Sequence, residues 1–257
     1  MSVRIKNPSM EIQRAYTPLN LSTEEIHLVV KRYSDGELSK YLHVLTPGVA
    51  TVWVNQGFKE WEYKEGQWDH VVFVAGGTGI TPAFQLCLIA LQRQKFFPSG
   101  RRTRLSVLAA TKSPATILLR EDFMDMKRNH GGLLDVKYFV DSVPKGSTLP
   151  EDVFQGPITE KVIRDTICPP TKGLLGWRSR KGLVVPHEKT LVLVCGPDQF
   201  TRYIAGPHGS VKSKQGPKGG LLNNVEGIEV FKMLETRDED HVDNLHRQRG
   251  MRVMKAD

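Results

Sequence analysis

Two apolar runs in this 257-residue chain end abruptly in small residues. Val71 to Pro82 reads V-V-F-V-A-G-G-T-G-I-T-P, and Leu191 to Pro197 reads L-V-L-V-C-G-P. A buried strand that breaks at Gly76, Gly77, Thr78 and Gly79 and then enters a helix lets the backbone approach a dinucleotide closely. It also aims the helix N-terminus at the phosphates. Cys195 closes the second run as a small, polarizable side chain, and Gly196 and Pro197 turn the chain directly behind it. An earlier segment, R-A-Y-T-P-L at Arg14 to Leu19, sets a guanidinium, a phenol and a hydroxyl within four residues at Arg14, Tyr16 and Thr17. Gly36 and Ser39 form G-x-x-S at the start of a short helix. The N–H groups and hydroxyl there suit a phosphate, and the serine equally suits an N-cap.

The elements that must carry these groups fall into two halves. Residues 1 to 57 read as short β segments at Val3–Ile5, Glu11–Tyr16, Ile26–Tyr33 and Thr51–Val54, with one helix over Leu38–Leu45. Mostly β with one helix points to part of a small barrel. After Gln67 the pattern alternates. Strands are predicted at Val71–Ala75, Leu105–Ala110, Leu134–Val140 and Leu191–Cys195. Helices are predicted at Pro82–Gln94, Ala115–Arg128, Ile158–Ile167 and Asp198–Ala205. Repeated β–α units predict a parallel sheet with helices on both faces and a ligand at the carboxyl ends of the strands. Cys168 to Glu188 and Gly206 to Gly220 read as long loops, and the charged end, residues 235 to 257, as a frayed or disordered tail. The expected domains are 1–66 and 67–257.

Composition bounds the function. The net charge of +8 favours anionic ligands or acidic partners. No zinc-finger spacing and no aromatic RNA-binding signature points to nucleic acid. The three cysteines are far apart, so neither a disulfide framework nor a zinc site is indicated. No apolar run approaches the ~20 residues of a membrane-spanning helix.

R-x-Y-T-P-L, G-x-x-S, G-G-T-G-I-T-P and C-G-P, in this order, resemble the ferredoxin-reductase superfamily, and within it the cytochrome b5 reductase branch. The resemblance covers about residues 4 to 205. It implies an α/β nicotinamide-binding domain preceded by an antiparallel β-barrel flavin domain, with FAD and NAD(P)H as cofactors and NADH favoured. It also implies roles. Arg14 would face the FAD pyrophosphate, Tyr16 would stack on the flavin, Thr17 would hydrogen-bond its ring, and Gly36 and Ser39 would hold phosphate. Lys31 matches a position near the dinucleotides. Gly76, Gly77 and Gly79 would form the nicotinamide-dinucleotide turn, with Gly196 and Pro197 facing it. Thr78 and Cys195 would stand at the hydride-transfer site. The acid that some reductases carry before I-L-L is Thr116 here, and Lys112 nearby could meet a 2′-phosphate. K-R-Y-S-D-G-E-L-S-K-Y-L-H and Q-G-P-K-G-G-L-L are similar to the fungal mitochondrial flavoproteins of cytochrome c import. That implies a haem acceptor in the cytochrome c maturation machinery at the mitochondrial inner membrane. The alternatives are a cytochrome b5 acceptor, or a non-catalytic dinucleotide-fold binding module. Only thirteen residues precede Arg14, whereas such reductases have several more barrel strands there. The expectation is therefore a truncated, partial barrel that binds FAD weakly, with membrane contact only through a missing N-terminal segment.

Overall fold

The computed structural model describes residues 2–9, 12–21, 24–56, 61–96, 102–168, 189–209 and 215–233. Residues 169–188 and 210–214 of the two expected loops, and the charged tail 235–257, lie outside the described residues. The chain forms two compact units, one running to Glu62 and one over Tyr63–Leu234.

In the first unit, β1 (Val3–Lys6) pairs antiparallel with β2 (Gln13–Tyr16) on one side and β3 (Trp53–Gln56) on the other. Alternation along the strands gives one apolar face. Val3 and Ile5 meet Leu38 and Leu42 of α1 (Glu37–Val44) in a small core. The strand expected over residues 26–33 does not form a ladder beyond a bridge at Ile26. Side chains take its backbone groups instead. Asn20 Oδ1 accepts from the His27 N–H, His43 Nε2 donates to the Val30 carbonyl, and Ser39 Oγ accepts from the Tyr33 N–H.

The second unit is a six-stranded parallel sheet, as the β–α alternation predicts. Its strands are β4 (His70–Gly76), β5 (Arg104–Thr111), β6 (Leu134–Val140), β7 (Val153–Gln155), β8 (Thr190–Cys195) and β9 (Ile228–Lys232), in the order β7-β6-β5-β4-β8-β9. β4 is buried along its whole length, as a parallel strand covered on both faces must be. On one face α2 (Ile80–Phe96) and α3 (Arg120–His130) meet through Phe84 and Phe123, edge to face at 5.1 Å. On the other, α4 (Glu160–Ile167) and α5 (Asp198–Ala205) bury Ile163, Ile167 and Ile204 against Val72, Val74, Val192 and Val194. Tyr63 belongs to this unit, since its hydroxyl donates to Thr103 Oγ1 at 3.0 Å and its carbonyl accepts from Arg93 at 2.8 Å.

Three differences from the sequence reading have local causes. The helix expected from Ala115 starts at Arg120, because Pro114–Thr116 closes a tight turn and Leu119 takes a left-handed φ of 57°. β7, of three residues, was not foreseen. Nor was β9, whose end is fixed by a buried lysine. Lys232 Nζ donates to the carbonyls of Pro207 (2.6 Å) and Pro217 (2.8 Å).

At the amino ends of β4 and β5, His70 is fully buried between Arg104 and Ser106. Arginine only donates, so Nδ1 accepts from Arg104 at 3.1 Å and Nε2–H donates to Ser106 Oγ at 2.9 Å. Burial first, and the Arg104 charge second, lower the His70 pKa to about 3. In the unfolded chain it titrates near ~6.5. The unfolded state therefore binds more protons between these values, and stability falls as pH drops from about 6.5 towards 3. At roughly 1.4 kcal/mol per pH unit, His70 costs about 2 kcal/mol of stability at pH 5. Urea unfolding of wild type and His70→Gln at pH 7 and at pH 5 is expected to show this loss only in wild type. An equal loss in the variant would contradict the assignment.

Candidate functional site

Strand order fixes where the second unit can hold a ligand. From β4 the chain moves through β5, β6 and β7 in one direction, then crosses to place β8 on the other side of β4. The boundary between β4 and β8 is the switch point of the sheet, and open α/β sheets bind ligands outside the carboxyl ends of the strands there. Gly76 ends β4, and Cys195 ends β8 in register with Ala75. The fold thus brings Gly76, Gly77, Thr78, Gly79, Cys195, Gly196 and Pro197 to one corner.

The glycines of that corner are required for different reasons. Gly77 has φ +54°, and among the described residues nothing lies within 4 Å of where its side chain would be. It supplies a left-handed turn with an open face. Gly79 is required for space, since a methyl group on it would lie 2.6 Å from the Cys195 carbonyl carbon and 2.9 Å from the Gly196 nitrogen. Gly76 and Gly196 both lie against the ring of Phe200, and Gly196 also has φ +155°. The turn Gly77–Gly79 leads straight into α2. The Ile80 N–H returns to the Gly77 and Thr78 carbonyls, and Thr81 Oγ1 donates to the Thr78 carbonyl at 3.0 Å. No acidic residue lies in the first turn of α2, so nothing there opposes a phosphate drawn to the helix N-terminus. These features fit a dinucleotide: an open glycine, a helix start without acid, a half-buried Thr78 in the turn after β4, and a half-buried Cys195 at the end of β8.

The first unit gathers the other predicted residues. Arg14 and Tyr16 lie two apart on β2, and Arg14 donates to the Gln13 carbonyl at 2.9 Å. Burial raises the Tyr16 pKa, Arg14 partly offsets this, and Tyr33 adds to it. Lys31 Nζ sits 5.3 Å from the Tyr33 ring centroid. Ser39 joins this group through the Tyr33 N–H (3.1 Å) and the Gly36 carbonyl (3.0 Å). Its proton is committed to Gly36, so the phosphate donors at this helix are the first-turn N–H groups of α1, which no side chain caps. This arrangement fits an FAD pyrophosphate held chiefly by Arg14, since Glu37 in the first turn of α1 opposes an anion at that helix end. Thr17 follows β2 half-buried. Tyr33, exposed and central to the group, carried no signal beyond its place in K-R-Y.

Two further motifs make internal hydrogen bonds. Thr116 Oγ1 lies 2.8 Å from Thr111 Oγ1 and bonds both backbone groups of Ser113, while Lys112 is exposed. In Q-G-P-K-G-G-L-L, the Gln215 amide brackets the Lys232 backbone and Lys218 donates to the Val225 carbonyl. Among the described residues no group of His, Cys, Asp or Glu could hold a metal ion.

Gly79→Ala is expected to cost roughly 2–3 kcal/mol, because backbone must move to admit the methyl group. Gly66→Ala, at φ +71° with open space around it, is expected to cost only about 1 kcal/mol of backbone strain. Urea unfolding that ranks the two equally would contradict the close approach at Gly79.

Comparison with known proteins agrees with this geometry. The oxidoreductase NAD-binding domain family matches residues 73–206, and the oxidoreductase FAD-binding domain family matches residues 1–57. NADH-cytochrome b5 reductase 2 of Candida glabrata is 29% identical over 214 residues, covering 82% of this chain and 63% of that protein. NADH-cytochrome b5 reductase 1 of Cryptococcus neoformans is 31% identical over 208 residues, covering 80% and 64%. The chain thus spans a little under two thirds of the length of these relatives. The cytochrome b5 reductase domain of Ulva prolifera nitrate reductase superposes with a TM-score of 0.61 at 23% identity, over 90% of this chain and 83% of that one. With the NAD-binding match spanning the sheet whose switch point carries the glycine corner, and the FAD-binding match lying within the first unit, the chain belongs to the ferredoxin-reductase superfamily and is cytochrome b5 reductase-like.

Proposed function

We propose that the chain is an FAD-dependent NAD(P)H oxidoreductase, with NADH the favoured donor and a haem protein of the cytochrome b5 kind the one-electron acceptor. The observation that carries this reading is the corner at the switch point, where Gly77 opens the backbone, Thr78 lies in the turn that follows β4, and Cys195 ends the adjacent β8. When bound, the nicotinamide and flavin supply hydride transfer and its conversion to single electrons.

The residues bind and orient. Gly77 admits the dinucleotide against the backbone, and the α2 N-terminus attracts its pyrophosphate. Thr78 offers a hydroxyl. Cys195 offers a side chain small enough to leave room for a ring while keeping the floor apolar. In the first unit, Arg14 neutralises the FAD pyrophosphate, the uncapped first-turn N–H groups of α1 donate to it, Tyr16 stacks on the flavin, and Thr17 hydrogen-bonds it. Gly36 allows the tight entry into α1, since a methyl group there would meet Ser39 Oγ at 2.6 Å. Lys31 adds positive charge at the edge of that group.

A narrower form of the reading is that the acceptor is haem iron in the cytochrome c maturation machinery, at the mitochondrial inner membrane. Likeness of Lys31–His43 and Gln215–Leu222 to the fungal import flavoproteins supports it.

Purified chain supplied with FAD is expected to lose its visible flavin absorbance when NADH is added anaerobically. Absence of bleaching with flavin bound would contradict the proposal. A chain that holds NADH but no flavin would instead be the binding module. Cys195→Ala is expected to slow the bleaching roughly tenfold with flavin content unchanged, since ring alignment is sensitive to small shifts. An unchanged stopped-flow rate would leave Cys195 as a strand-end apolar residue.

A further inference from the structure

We propose that Phe200 is a positioning residue, whose ring is a wedge that fixes the spacing of the two corners meeting the nicotinamide. The inference rests on the function proposed above. Gly76 has φ −107° and ψ 121°, an extended conformation open to any residue. Its backbone therefore does not require glycine, and the Phe200 ring does. A methyl group on Gly76 would lie 2.8 Å from Cγ and Cδ1 of Phe200. One on Gly196 would lie 2.9 Å from the same Cδ1 and 3.0 Å from the Gly76 Cα. One ring edge thus abuts both strand ends, where no side chain of either residue intervenes.

The ring cannot drift independently of what it touches. Phe200 lies in the first turn of α5, and that turn is bolted to the same corner. The Thr201 N–H donates to the Pro197 carbonyl at 2.9 Å, and the fully buried Thr201 Oγ1 donates to the Gly196 carbonyl at 3.2 Å. Arg202 pairs with Asp198 across the turn at 2.8 Å. The wedge therefore holds the Gly76–Gly79 turn and the Cys195–Gly196 corner at one separation. Thr78 and Cys195 lie within those corners. An aliphatic side chain at position 200 would fill less of the space against both glycines, and the turns that follow the two strands could tilt. Misplacement of about 1 Å at a reacting pair costs on the order of 100-fold in rate.

The test has a stability arm and a kinetic arm. In the first, Gly76→Ala is made in wild type and in Phe200→Ala. The wedge predicts that Gly76→Ala lowers Tm by about 5 °C with the ring present and by less than half of that without it. Equal losses in both backgrounds overturn the proposal. Should Phe200→Ala not fold, Phe200→Leu takes its place in the cycle. In the second arm, FAD-loaded Phe200→Leu is assayed with NADH and ferricyanide. The expected result is a kcat lowered roughly tenfold or more with KM within about twofold, and recovery of most of the rate in Phe200→Tyr, which keeps the ring. A wild-type kcat in Phe200→Leu overturns the positioning role. If wild type itself is not reduced by NADH, the proposed function fails, and the stability arm still decides whether the wedge exists.

Discussion

Two strand ends of the second unit approach so closely that no side chain fits between them. The Gly79 backbone lies against the Cys195 carbonyl, and Gly196 lies against Gly76. Much of the unit follows from this constraint. β4 and β8 must be neighbours in register, and the chain must leave β4, build three strands on one side and return to the other. The helices that follow these strands, α2 and α5, then start from one corner on opposite faces of the sheet. An open backbone face at Gly77 results, with a helix N-terminus behind it.

The opposite ends of the same strands are built in the contrary way. The Asp69 N–H donates to the Lys189 carbonyl at 3.0 Å, and the Lys189 N–H returns to Asp69 Oδ2 at 2.9 Å. The Arg104 N–H donates to the Asp69 carbonyl at 2.8 Å. Lys189 Nζ lies 4.8 Å from the Trp68 ring centroid, and His70 is sealed between Arg104 and Ser106. The amino end of these strands is thus closed by polar contacts, whereas at the carboxyl end the β4–β8 corner keeps an open backbone face at Gly77. That asymmetry lets a parallel sheet be rigid and still present backbone to a ligand. A buried lysine plays a similar fastening role at β9, where burial lowers the Lys232 pKa and two proline carbonyls accept hydrogen bonds from its Nζ.

Much of this was legible in the sequence. β4 and β8 are covered on both faces and appear as apolar runs, β5 and β6 keep enough buried apolar positions to be read as strands despite Ser106, Asp135 and Lys137, and α5 follows C-G-P with the bounds its pattern predicts. The glycine corner was legible as a group, but the reason for each glycine was not. Gly76 and Gly79 answer to Phe200 and to the Cys195 carbonyl, contacts that arise only when distant segments meet. The stretch over residues 26–33 has the apolar alternation of a strand, yet Asn20, Ser39 and His43 satisfy its backbone. The start of α3 was misplaced because a left-handed leucine has no sequence signature. β9 escaped notice because its last residue is a lysine, which reads as surface until its partners are known.

The central claim is that a nicotinamide dinucleotide sits at the corner between β4 and β8. Titration of the isotope-labelled chain with NAD+, followed by backbone amide NMR, tests it most directly. The account predicts progressive shifts of the Gly77, Thr78, Gly79, Cys195 and Gly196 amides, with Asp69 and Lys189 at the far end unmoved. Shifts centred on Asp69 and Lys189, or no shift at the glycine corner at saturating NAD+, would contradict it.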